Sequence, residues 1–217
     1  IIKDSNNKNI RTLDSILFHK FFDKKIFSKS FSIILFDLCL LPFVGLGILK
    51  HFRFFKFCLT NINCRSKKFF NKLILIRSVC KKLGLLVYFR NKQNKNLIFV
   101  DEGIIHSSHV IFINGEIEKD IDIKTFTSLV PKPDLIIYVY DKIEDVIKRT
   151  LQRDDPPLKN SDHKTLSNFI IKADLMFKDL MKNEHLKKTN IIKVDSQAYS
   201  IKDLLEYING IQKTSFN

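Results

Sequence analysis

Three short apolar runs in the second half of this chain, the last interrupted by Lys193, limit its fold more than any other feature. They are Leu97–Val100, the "LIIYVY" of Leu135–Tyr140 and the "IIKV" of Ile191–Val194. Each is too short for a stable helix. The first two do not alternate apolar with polar residues, as a half-exposed strand would. Runs of this kind suit strands buried on both faces, the usual state of a parallel sheet. Stretches with helical spacing separate them, at roughly 104–114, 124–129, 143–153 and 164–182, with a last one at 201–211. Strands alternating with helices predict an α/β fold with a parallel sheet, in which ligands bind at the carboxyl ends of the strands.

Those ends carry the polar chemistry. Leu97–Val100 runs straight into Asp101, Glu102 and Gly103. An acid at the end of a buried strand can hold Mg²⁺, directly or through water, beside nucleotide phosphates. A second carboxylate can orient or deprotonate an attacking group. Asp101 is therefore the candidate metal ligand and Glu102 the candidate base. The plainer alternative is that both acids sit at the positive end of the next helix. After Tyr140 comes "DKIEDVIKRTLQRDDPPLKN", with Arg149 and Arg153 four residues apart on one helix face. Two guanidiniums on a segment that ends abruptly at Asp154-Asp155-Pro156-Pro157 would suit a lid over a transferring phosphoryl group, at about 149–162. Alternatively they pair with acids such as Glu144, Asp145 or Asp154. The third strand leads into Asp195, Ser196 and Gln197, a loop that could wrap an adenine ring or serve as an ordinary connection. His106 and His109 lie three apart beside Asp101, either as half of a metal site or as one helix turn near it.

The first half has a different character. Residues 1–96 carry 20 Lys and Arg against 4 Asp and Glu, whereas residues 97–217 carry 17 against 19. Fourteen of the 20 Phe also lie in the first 96 residues. Residues 1–10 read as a loop and 11–30 as a helix. The most apolar segment, 31–50, reads as a buried or interfacial helix broken near Pro42, and less readily as a membrane helix, because the apolar run is short and contains Asp37, Pro42, Gly45 and Gly47. Residues 66–90 read as a long amphipathic helix. A basic, Phe-rich helical half reads first as a solvated basic face over an ordinary core; it could also lie against an anionic membrane surface or a polyphosphate substrate, and less readily nucleic acid. The four cysteines lack metal-site or disulfide spacing and read as free thiols in a reducing cytoplasm.

The order and spacing of "LIFVDEG", "PKPDLIIYVYDKIEDVIKRTLQRDDPP" and "NIIKVDS" resemble the carboxyl-terminal two thirds of a P-loop kinase of the thymidylate kinase and nucleoside or nucleotide kinase group. The similarity is greatest to members that read "DEG" where thymidylate kinases read Asp-Arg-Tyr. It covers about residues 96–212. It implies a sheet of about five parallel strands, ATP and Mg²⁺, a lid after Arg149, and an adenine-side loop at Asp195, Ser196 and Gln197. It also implies a P-loop strand between the first two runs, yet no G-x-x-x-x-G-K-[ST] occurs in the chain and "GLGILK" at 45–50 has the wrong spacing. The arginine that follows the Asp in thymidylate kinases is Glu102 here. The expectation is a single three-layer, P-loop NTPase-like domain over 1–217. A basic helical region, 1–95, would precede an α/β core, 96–217, whose central strand is missing. Asp101, Glu102, Arg149 and Arg153 would carry phosphoryl transfer to a small-molecule acceptor. The other reading is a non-catalytic relative that works as a peripheral membrane or scaffold protein.

Overall fold

The structure, a computed structural model, describes residues 10–12, 29–91, 97–100, 102–114, 120–153, 157–158 and 162–196. The chain divides into two compact units, Ile1–Lys132 and Pro133–Asn217. The boundary therefore lies at Pro133, beyond the change of composition near residue 96.

In the first unit a short strand, β1 (Ile10–Thr12), is followed by α1 (Lys29–Lys50), α2 (Phe52–Arg65) and α3 (Phe69–Asn91), then by β2 (Leu97–Phe99). A 3-10 turn (Ile104–His106) leads into α4 (Ser107–Phe112), and α5 (Ile123–Leu129) closes the unit. β1 and β2 pair in parallel, Ile10 opposite Leu97 and Thr12 opposite Phe99. Residues 10–12 are thus a strand, where sequence spacing suggested a loop running into a helix. Three residues are too few to show a period, and their partner is remote in sequence. The remainder of the expected 11–30 helix, up to Lys29, lies outside the described residues.

α1 does not break at Pro42. It continues through the proline, which lies on an exposed face where a lost backbone donor disturbs no packing. The chain turns instead at His51, where α1 and α2 meet at 97°. The inner face of α1 packs on α3 at close range. A Cβ on Gly84 would stand 2.7 Å from Val44 Cγ2, and one on Gly47 would stand 3.1 Å from the Leu83 carbonyl oxygen. Asp37, the acid within the apolar run, is held by the Arg77 guanidinium of α3, with Nε donating to Oδ2 at 2.8 Å. Leu75, Val79, Leu83 and Val87 form the buried stripe of α3 at a four-residue spacing. Phe54 and Phe57 of α2, Phe112 of α4 and Phe126 of α5 form an edge-to-face cluster with ring centroids 5.7–6.5 Å apart. Arg65 is buried to 2% exposure beside that cluster, its guanidinium 5.2 Å from the Phe112 ring centre and donating to the Asp120 carbonyl. No cysteine in the unit is bridged.

The second unit runs β3 (Leu135–Tyr140), α6 (Ile143–Leu151), α7 (His163–Lys182), α8 (Glu184–Lys187) and β4 (Asn190–Asp195). β3 and β4 pair in parallel over six residues, from Leu135 opposite Asn190 to Tyr140 opposite Asp195. A parallel pair requires a crossover, and the helices between the strands provide it. α6 has Glu144 and Asp145 in its first turn and Lys148 and Arg149 in its last, matching the helix dipole. Asp162 caps α7 by accepting from the Thr165 amide at 2.7 Å, and Leu166, Ile170, Met176 and Leu180 form the buried face of that helix. The expected pairing of Ile191–Val194 with Leu135–Tyr140 is present. Among the described residues, β2 pairs only with β1, in a separate two-stranded sheet.

Candidate functional site

Each unit brings polar side chains to the carboxyl end of its parallel pair. In the first, Glu102 follows β2 by three residues and adopts a left-handed backbone, φ 50°. Among the described residues it is the only non-glycine with positive φ, a conformation that costs on the order of 1 kcal/mol or more. Glu102 does not cap the following turn. The N-cap there is Gly103, with no side-chain cap bond. The carboxylate faces Lys82 Nζ at 3.6 Å and His106 Nδ1 at 3.7 Å. His106 and His109 stack with ring centres 5.0 Å apart. Burial, then the neighbouring His106, pushes the His109 pKa down to about 4, so this ring is neutral at pH 7. Among the described residues no three His, Cys, Asp or Glu side chains gather as a metal centre. Asp101, the candidate Mg²⁺ ligand, lies outside the described residues. Magnesium in nucleotide sites commonly takes only one or two carboxylates and completes its shell with phosphates and water.

In the second unit the organising residue is Asp141, immediately after β3. Its Oδ2 accepts from Ser196 Oγ at 2.6 Å and pairs with Arg149 Nη2 at 2.6 Å, and its Oδ1 accepts from the Lys142 amide at 2.7 Å. The Asp141 side chain is only 4% exposed. The Ser196 amide donates to the Tyr140 carbonyl at 3.0 Å, which extends the β3–β4 ladder by one bond. One carboxylate thus ties together the ends of both strands and the last turn of α6.

No protein-family model, curated protein or solved structure matches this chain.

The candidate residues meet different fates. Glu102 sits at a strand end and is engaged by a lysine and a histidine. Arg149 is taken up by Asp141 rather than by Glu144, Asp145 or Asp154. The available signal was its position, since Asp141 follows its apolar run directly, as Asp101 follows Leu97–Val100. Arg153 lies two residues beyond the end of α6 and is exposed, with no ion pair among the described residues. Ser196 uses both its hydroxyl and its amide inside the unit. Asp195 is the last residue of β4. Gln197 and the expected 201–211 helix lie outside the described residues. Lys82 is a further polar neighbour of the first strand end, hidden in the sequence among the many lysines of α3.

The Asp141 carboxyl is held below its ordinary pKa, first by the Ser196 hydroxyl, then by the Lys142 amide and the charge of Arg149, against an opposing effect of burial. A depressed carboxyl stabilises the fold above its unfolded pKa of about 3.9, and that contribution disappears as pH falls through the lower folded value. Asp141→Asn should therefore melt below wild type at pH 7. The gap should narrow as thermal melts are moved below about pH 4. A gap of constant size down the acid limb would mean that the carboxylate charge contributes nothing there.

Proposed function

We propose that the chain belongs to an ATP-dependent P-loop kinase that moves a phosphoryl group to a hydroxyl or phosphate of a small acceptor. The observation that carries this reading is the strand pairing. β1–β2 and β3–β4 are both parallel, both are connected through helices, and both bring carboxylates to their carboxyl ends.

In this reading Asp101 holds Mg²⁺ through water, and Glu102 orients or deprotonates the acceptor. ATP and Mg²⁺ supply the transferable group and the charge neutralisation. Arg153 would stabilise the transferring phosphoryl, while Arg149, bound to Asp141, would fix the base of the lid. Backbone groups of Asp195 and Gln197 serve the adenine side, with Ser196 as their internal anchor. ATP chemistry with free thiols fits a cytoplasmic protein. The engagement of Arg149 and Ser196 within the fold also favours a second reading, a non-catalytic relative used as a membrane-peripheral scaffold.

Two measurements test this proposal, and the second separates it from the scaffold reading. P-loop amides and the P-loop lysine supply most of the grip on β- and γ-phosphates, and no such loop occurs in these 217 residues. Calorimetric titration of Mg-ATP into this chain should show no micromolar binding. Micromolar affinity would mean that other residues build the nucleotide site. The protein expressed from the whole reading frame should transfer label from ATP to a small acceptor. If it binds no Mg-ATP, the scaffold reading takes precedence.

A further inference from the structure

The helices of the first unit present a surface that the kinase reading does not use. On α1, Leu38, Leu41, Leu46 and Leu49 are each at least half exposed, Leu49 to 76%, and exposed Pro42 and Gly45 lie between them. Steps of three, four and seven residues place all six on one helix face, about 17 Å long at 1.5 Å per residue. That face holds no charge. At the start of α3, Phe69, Phe70 and Ile74 are more than half exposed and Leu73 nearly so. The Asp37–Arg77 pair joins the two stretches, since Leu41 lies one turn after Asp37 and Leu73 one turn before Arg77. Leucine and phenylalanine at this density are more than the scattered apolar residues of an ordinary surface.

The charge around this face identifies what covers it. Residues 29–91 contain twelve Lys and Arg and a single acid, Asp37, which Arg77 already binds. Exposed Lys50, Arg53 and Lys56 stand at the 97° turn where the leucine face of α1 ends, and exposed Lys68 directly precedes Phe69. A second copy of the chain would bring the same positive excess against this face. Nucleic acid would satisfy the cations and leave the leucines in water. A bilayer with anionic headgroups offers acyl chains to the leucines and phosphates to the cations at once. No single described helix is long and apolar enough to cross a membrane, and the helix that follows the bend is basic.

We propose that α1 lies in the plane of an anionic phospholipid surface, with its leucine face among the acyl chains and Lys50, Arg53, Lys56 and Lys68 at the phosphates. The inference holds whether or not the protein is a kinase.

The test is sedimentation of the 217-residue chain with vesicles of phosphatidylcholine, with or without a minority of phosphatidylserine. Binding should require phosphatidylserine and weaken in high salt. At about 1 kcal/mol, or fivefold, per cation, Lys50→Gln/Arg53→Gln/Lys56→Gln should weaken partitioning about a hundredfold. Leu41→Gln/Leu49→Gln should weaken it as well. Both sets alter exposed side chains, and circular dichroism would verify the fold. If the leucine pair fails to fold, the cation variant still decides the question. The proposal fails if wild type ignores the anionic vesicles or binds phosphatidylcholine equally well. It also fails if the leucine pair binds like wild type, or if sizing shows a dimer that the leucine pair abolishes. No arm uses nucleotide, so the kinase reading is tested separately.

Discussion

On the proposed kinase reading, alanine in place of Arg153 should lower turnover about a thousandfold, the low end for an arginine that stabilises a transferring phosphoryl group. The expectation rests on a contrast within one segment. Arg149 is anchored by Asp141, whereas Arg153 stands past the end of α6, exposed and without an ion pair among the described residues. A side chain so placed does little for the fold, so stability should change by no more than about 0.5 kcal/mol. Lysine at 153 should restore only part of the activity, because a point charge lacks the planar fork. Steady-state kinetics with ATP and the true acceptor, beside thermal melts, would check both parts. A stable, fully active Arg153→Ala protein would remove the lid assignment.

The second large effect is structural. Phe126 is fully buried, and its ring meets Phe54 at 5.7 Å, Phe112 at 5.8 Å and Phe57 at 6.5 Å. It is the anchor of α5, a helix of seven residues held at its start by Asp122 accepting from the Thr125 amide at 3.0 Å. Truncation to alanine should cost about 3–5 kcal/mol through lost burial and the cavity left among three other rings. That is a large share of the roughly 5–15 kcal/mol that holds an ordinary domain. Urea titration would measure it, and Phe126→Leu, which keeps most of the volume, should cost far less. A loss below about 1 kcal/mol for alanine would show that the cluster is not the core of this unit.

How much of this was legible beforehand depended on distance along the chain. Helices α3, α6 and α7 announced themselves by local spacing, and their observed ends fall within a few residues of those expected. β3 was visible as an unbroken apolar run and β4 as one interrupted by Lys193. β1 was not, because three residues have no period of their own and Ile10 is a strand only through Leu97. Pro42 suggested a break that the helix does not make, since the proline lies on an exposed face and the bend moves to His51. The four-ring core was legible only as a surplus of phenylalanine. The candidate site was half legible. Glu102 was noticed for its place after a strand. Asp141 has the same place, but the guanidinium and hydroxyl it gathers come from eight and fifty-five residues away.

The β1–β2 pairing also bears on the order in which the molecule assembles. Leu97 follows its partner Ile10 by 87 positions. Closing a free loop of that length costs on the order of 4 kcal/mol, more than three residues of ladder return by themselves. The helices α1 to α3 lie inside the loop, and their docking on one another shortens the distance to be closed. The strand pair should therefore form late in folding and open early in unfolding, so the β2 end that carries Glu102 depends on the docking of α1 on α3, where Gly84 seats against Val44 and Leu40.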